Sequence, residues 1–116
     1  MIQSRRRMLL ALALSAGLMV FAGCQRAPKV DPALVARGKT IFEDQCALCH
    51  DAATTEKKVG PGLKGLFQRS TMENGKPISE ATVRENIDKG SANMPSFKDT
   101  LTPQEKDALI AFLKTL

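Results

Sequence analysis

A chain of 116 residues is long enough for one small domain, and its 43% hydrophobic content comes with few aromatic residues and neither Trp nor Tyr. The net charge of +5 at pH 7 overstates its basicity, because three of the 17 basic residues are Arg5, Arg6 and Arg7 at the extreme N-terminus, which leaves 14 against 12 acidic residues. No basic stripe interleaved with aromatics is present, so the pI of about 9.4 is no argument for nucleic-acid binding.

Those three arginines form the positive start of an export signal over residues 1–23. Met8 to Phe21 is an apolar run too short to be a comfortable permanent membrane span. It ends at Phe21-Ala22-Gly23-Cys24, which resembles a bacterial lipobox, with Phe21 where Leu is usual. Cys24 is therefore expected to receive a diacylglyceryl group and become the new N-terminus, with an ordinary signal peptide or an uncleaved anchor as the alternative. The protein is then expected on the periplasmic side of a bacterial membrane. Residues 24–30 carry one Pro and no hydrophobic periodicity, as a lipidated tether would.

The domain is expected over residues 31–116. Asp31-Pro32 supplies an N-cap followed by Pro at the first helical position. The helix predicted there carries Leu34, Val35, Ile41 and Phe42 on one face, with Gly38 among them. A helix-interior Gly costs about 1 kcal/mol relative to Ala, so a close helix crossing is expected at Gly38.

Next comes Cys46-Ala47-Leu48-Cys49-His50, which contains the chain's single histidine. Two thiols three positions apart lie on one face of a helical turn and can form thioether bonds to both vinyl groups of one porphyrin. The residue that follows directs an imidazole at the iron. This is the attachment pattern of haem c, one per chain. The small or apolar Ala47 and Leu48 suit a segment pressed against a macrocycle. A structural zinc site would need a fourth donor, and a redox CxxC would be expected beside a βαβ pattern; neither is in the sequence. With Cys24 committed to lipid and two cysteines to haem, none is left for a disulfide. A cofactor at the centre also gives a short chain enough surface to bury.

Residues 51–78 hold Gly60, Pro61, Gly62, Gly65, Gly75 and Pro77 and are predicted to be mostly loop, with a short helical turn near 63–68. Ser79 as cap and Gly90 as terminator bound a second helix with Val83 and Ile87 inward. A third begins at the capping box Thr102-Pro103-Gln104-Glu105 and places Leu109, Phe112, Leu113 and Leu116 on one face, the partner for Gly38. No alternating strand pattern and no internal repeat occurs, so the fold class is all-α.

A low-spin electron-transfer haem needs a sixth ligand, and the single histidine is already used. Met72 lies in Thr71-Met72-Glu73-Asn74-Gly75, which reads as an exposed turn. Met94 lies in Asn93-Met94-Pro95-Ser96-Phe97, where Pro95 stiffens the backbone and Phe97 can cover the pocket edge. Met94 is the expected axial ligand opposite His50.

In this order, the helix with Gly38 and Phe42, Cys46 to His50, Val59-Gly60-Pro61-Gly62-Leu63, Asn93 to Phe97 and the Leu109 to Leu116 segment, the chain resembles a class I monohaem cytochrome c. The resemblance implies a small cytochrome c fold with N- and C-terminal helices packed across each other, one haem edge open at the surface, and the Pro61 carbonyl accepting a hydrogen bond from His50. It also implies a one-electron carrier, not an enzyme, acting as a monomer with membrane-bound redox complexes as donor and acceptor. A dedicated haem subunit of such a complex is the alternative; a haem peroxidase or gas sensor is a lesser one. Trp and Tyr, which often hold haem propionates in this family, are missing; Arg69, Gln68 and Asn74 are the candidates to replace them.

Overall fold

The computed structural model describes residues 29–116; the expected signal segment, the lipidation candidate Cys24 and most of the tether lie outside them. Helix α1 spans Pro32–Gln45, α2 spans Glu80–Lys89 and α3 spans Pro103–Leu113, with one 3₁₀ turn at Leu66–Gln68. Among the described residues there is no strand, only isolated bridges between Thr71 and Pro77 and between Ser91 and Met94. No described helix is long and apolar enough to cross a membrane.

Each helix starts where a side chain takes over an orphan backbone donor. Asp31 accepts from the Ala33 amide at 2.9 Å. Ser79 and Thr82 cap each other reciprocally, and so do Thr102 and Glu105. Helix α2 stops at Gly90, whose φ of +67° is a conformation that L side chains rarely adopt.

The main helix packing is α1 on α3. The two backbones meet at Gly38, where a Cβ would come 1.9 Å from the Ala108 carbonyl oxygen. One turn further on, the Phe42 and Phe112 rings stack tilted at 52° with centroids 5.5 Å apart. Helix α3 is more enclosed than its periodicity implies, since Ala108 through Leu113 are all buried. It ends at Leu113, so Leu116 lies past the helix, where its carbonyl accepts from the Gly65 amide at 3.0 Å. On α1, Gly38 and Phe42 are buried and Val35 and Ile41 pack against the core.

Candidate haem site

The inner faces of the core are the walls of one cavity of about 750 Å³, within the roughly 300–1,000 Å³ of small-molecule and cofactor sites. Phe42, Leu66, Val83, Ile87, Phe97 and Leu109 form its apolar wall, and Cys46, Cys49, His50 and Met94 all face it.

The Cys46 to His50 segment continues α1 as a tight turn: the Cys49 and His50 amides both donate to the Cys46 carbonyl, at 3.0 and 2.9 Å. This places both sulfurs and the imidazole on the cavity. Ala47 packs on the core, but Leu48 stands at the rim and is 84% exposed. Cys46 and Cys49 are not joined to each other by a disulfide. Burial, and secondarily the neighbouring Cys49, pushes the Cys46 thiol up to about 11. Among the described residues no three His, Cys, Asp or Glu side chains converge as a metal-holding group.

His50 Nδ1 donates to the Pro61 carbonyl at 2.9 Å, so the proton sits on Nδ1 and the Nε2 lone pair is the free one. Gly60 lies flat against the ring. A Cβ there would come 2.4 Å from Cε1, 2.7 Å from Nδ1 and 2.9 Å from Nε2. The Gly60 amide also donates to the Cys49 carbonyl at 2.8 Å. Gly60 thus belongs to the site beside Pro61, and its place in the Val59 to Leu63 motif is the signal for it.

Met94 leaves Gly90 through a turn in which Ser91 and Met94 exchange backbone hydrogen bonds. A Cβ on Gly90 would meet the Met94 carbonyl oxygen at 2.3 Å. From α2, Asn86 Nδ2 donates to Met94 Sδ at 3.6 Å. Met72 is not the exposed turn residue expected: it is half-buried, packs against the core and lines the cavity. The turn lies just beyond it, closed by Gly75 N donating to the Met72 carbonyl. Phe97 is a wall residue, 8% exposed, rather than an edge cover.

Of the three propionate candidates, Arg69 and Asn74 line the cavity and Gln68 does not. Arg69 Nη2 is occupied by the Gly62 carbonyl at 2.8 Å and by that of Lys64. Lys57, also lining the cavity and 3.7 Å from Glu73, is a further cation at the mouth.

An apolar cavity with two thiols, one oriented imidazole and a thioether on its wall fits haem c. The sequence model of the family described as "Cytochrome C oxidase, cbb3-type, subunit III" matches residues 33–113. The chain belongs to this cytochrome c family. It is 33% identical over 92 residues to a "Cytochrome bc1 complex cytochrome c subunit" of Corynebacterium diphtheriae, an alignment covering 74% of this chain and 28% of that one. It is 31% identical over 80 residues to a "Cytochrome c-553-like" protein of Synechocystis sp., covering 69% and 67%. Similarity to "Cytochrome c2" of Rhodopila globiformis is 40% over 62 residues, covering 53% and 56%. The chain thus spans just over a quarter of the Corynebacterium relative. The protein is a class I cytochrome c with covalently attached haem c.

Proposed function

We propose that this protein is a membrane-anchored one-electron carrier on the periplasmic side of a bacterial membrane, with Cys46 and Cys49 as thioether attachments and His50 and Met94 as axial ligands. The observation that carries this reading is the convergence of these four side chains on one apolar cavity, with His50 oriented by Pro61. When bound, haem c supplies a one-electron Fe(III)/Fe(II) couple whose potential a soft, neutral thioether raises by favouring the reduced state. The Pro61 carbonyl fixes the tautomer that leaves Nε2 as donor and makes that nitrogen more basic. Asn86 holds the Met94 sulfur on the cavity wall, and the apolar wall residues exclude water. With His50 and Met94 both holding the iron, no coordination site would be left for a substrate, and the sequence offers no second His as an acid or base beside it.

Of the two methionines on the cavity, Met94 is favoured because its sulfur is held by Asn86 and its loop is tied to α2. The test is the weak near-infrared band of thioether-ligated ferric haem. Met94→Ala should abolish it, lower the reduction potential and open the sixth site to carbon monoxide, while Met72→Ala should keep it. Survival of the band in Met94→Ala, or its loss in Met72→Ala, overturns the ligand assignment.

The domain divisions proposed are a signal over 1–23, a lipidated tether from Cys24 to residue 30 and the haem domain over 31–116. The partners proposed are membrane-bound redox complexes. A second reading, a dedicated haem subunit of one such complex, draws on the name of the Corynebacterium relative.

A further inference from the structure

Lys106 is the single buried charged residue among the described residues, 7% exposed in the second turn of α3, and nothing in the electron-transfer role uses it. Its Nζ lies 2.6 Å from Asp88 Oδ1, in the last turn of α2, and donates at 2.9 Å to the Lys98 carbonyl. No hydrogen-bond donor is aligned on that buried oxygen, so the attraction there is between charges. One ammonium group therefore joins three segments: α3, the end of α2, and the chain leaving the Met94 loop.

The same end of α2 holds that loop at Met94, Ser96 and Phe97. Asn86 Nδ2 donates to Met94 Sδ, Ser96 Oγ to the Asp88 carbonyl, and the Phe97 amide to the Ile87 carbonyl at 3.0 Å. Four residues before the clasp, Met94 has its own short bridge to Ser91. Burying a lysine gains little stability over a methionine of similar length, because desolvation offsets most of the Coulomb attraction. What the ammonium does supply, through its aligned bond to the Lys98 carbonyl and its charge attraction to the partly exposed Asp88, is a fixed position for the segments it joins. An apolar side chain at 106 would fill the space yet leave the Lys98 carbonyl without this donor, so the chain beyond Phe97 would lose its tie to α3 while the Ser96 and Phe97 bonds to α2 remain.

We propose that Lys106 is a positioning residue for Met94, acting through Asp88 and the Lys98 carbonyl to clamp the exit of the ligand loop so that the sulfur is held at the iron. This rests on the reading of Met94 as axial ligand, and the test separates the two. In haem-loaded ferric protein, imidazole affinity reports how readily the sulfur yields its place, and far-ultraviolet circular dichroism reports global unfolding. Lys106→Met should bind imidazole about tenfold more tightly than the native protein, with its helices still folded at the assay temperature. Lys106→Arg, which keeps the charge, should return most of the native resistance. Asp88→Asn keeps the shape and removes the charge, and should shift imidazole affinity in the same direction; it decides the matter if Lys106→Met does not fold. Imidazole affinity of both neutral variants within twofold of native overturns the proposal. Met94→Ala serves as the reference. Loss of the near-infrared band there, with unchanged imidazole binding in Lys106→Met and Asp88→Asn, overturns the clamp alone, whereas survival of the band in Met94→Ala overturns the ligand reading beneath it.

Discussion

Gly60 is pressed so closely on the face of His50 that a Cβ would come 2.4 Å from the ring's Cε1, while the next residue, Pro61, accepts the Nδ1 proton at 2.9 Å. Stacking below and hydrogen bonding at the edge together fix the plane of the imidazole, so that Nε2 has one direction in which to donate. Gly60→Ala cannot be absorbed by a flexible chain end, because the obstacle is a ring held at both its backbone and its Nδ1. The expected outcome is a displaced imidazole, seen as a changed reduction potential and a lower yield of covalently loaded protein. A potentiometric titration together with a haemochrome assay checks it; native values for both would show that the contact is not restrictive.

The Asn86 to Met94 contact leads to a second expectation. A thioether sulfur has two lone pairs, and a donor on one leaves the other for a metal while drawing electron density away. Asn86→Leu keeps the volume and removes the donor. At about 1 kcal/mol for such a hydrogen bond, the Met94 sulfur should be roughly fivefold easier to displace, and the reduction potential should fall. Redox titration of the loaded variant gives the direction, and a rise in potential would contradict it.

Much of this arrangement is legible in the residues themselves because it rests on local chemistry. Asp31-Pro32, Ser79 and Thr102-Pro103 mark helix starts by hydrogen bonds within three residues, and the structure begins helices there. Gly38 announced a close crossing, since an interior glycine needs a reason, and α3 supplies it. What stayed hidden is set by distant partners. Met72 reads as a turn residue because Glu73, Asn74 and Gly75 follow it, yet the bridge between Thr71 and Pro77 turns its side chain inward. Lys106 looks like a solvent-facing cation until α2 and the Lys98 carbonyl close over it. Gln68 and Arg69 are neighbours in sequence, but only Arg69 emerges from the 3₁₀ turn towards the cavity.

Acid sensitivity should centre partly on the α3 cap. The Thr102 amide, then its hydroxyl, and to a lesser degree Arg37 of α1 hold the Glu105 carboxyl below its ordinary value of 4.5. A carboxyl with a depressed folded value contributes stability that is present above the unfolded value and lost as pH falls through the folded one. Glu105→Gln should therefore unfold at lower temperature than native protein at about pH 7, and the gap should shrink below about pH 4.5. Melting curves across that range check the sign; a gap that widened in acid would contradict it.

The lipid anchor is tested without reference to the haem. Two acyl chains on one diacylglyceryl group, at about 0.8 kcal/mol per buried CH₂, hold a small domain stably where one would not. About seven tether residues at roughly 3.5 Å each would then keep the start of the haem domain within about 25 Å of the surface. Cys24→Ser should release haem-loaded protein into the soluble periplasmic fraction. Retention in membranes through a carbonate wash would refute lipidation at Cys24.

The crossing of α1 and α3 gives the last expectation, and the largest effect on stability. At Gly38 the obstacle to a side chain is the Ala108 carbonyl, 1.9 Å from where a Cβ would sit, with Phe112 Cβ at 2.9 Å. Backbone on both sides cannot change rotamer, so Gly38→Ala must part the helices. The gain in helix propensity, about 1 kcal/mol, is set against overpacking of about 1–3 kcal/mol or more and against loosened Phe42 and Phe112 stacking. Phe42 is also part of the cavity wall, so the haem pocket widens with the crossing. The variant should melt several degrees lower, at roughly 4–8 °C per kcal/mol for a domain of this size. An alanine variant as stable as the native protein would mean that the helices have room to give at this crossing.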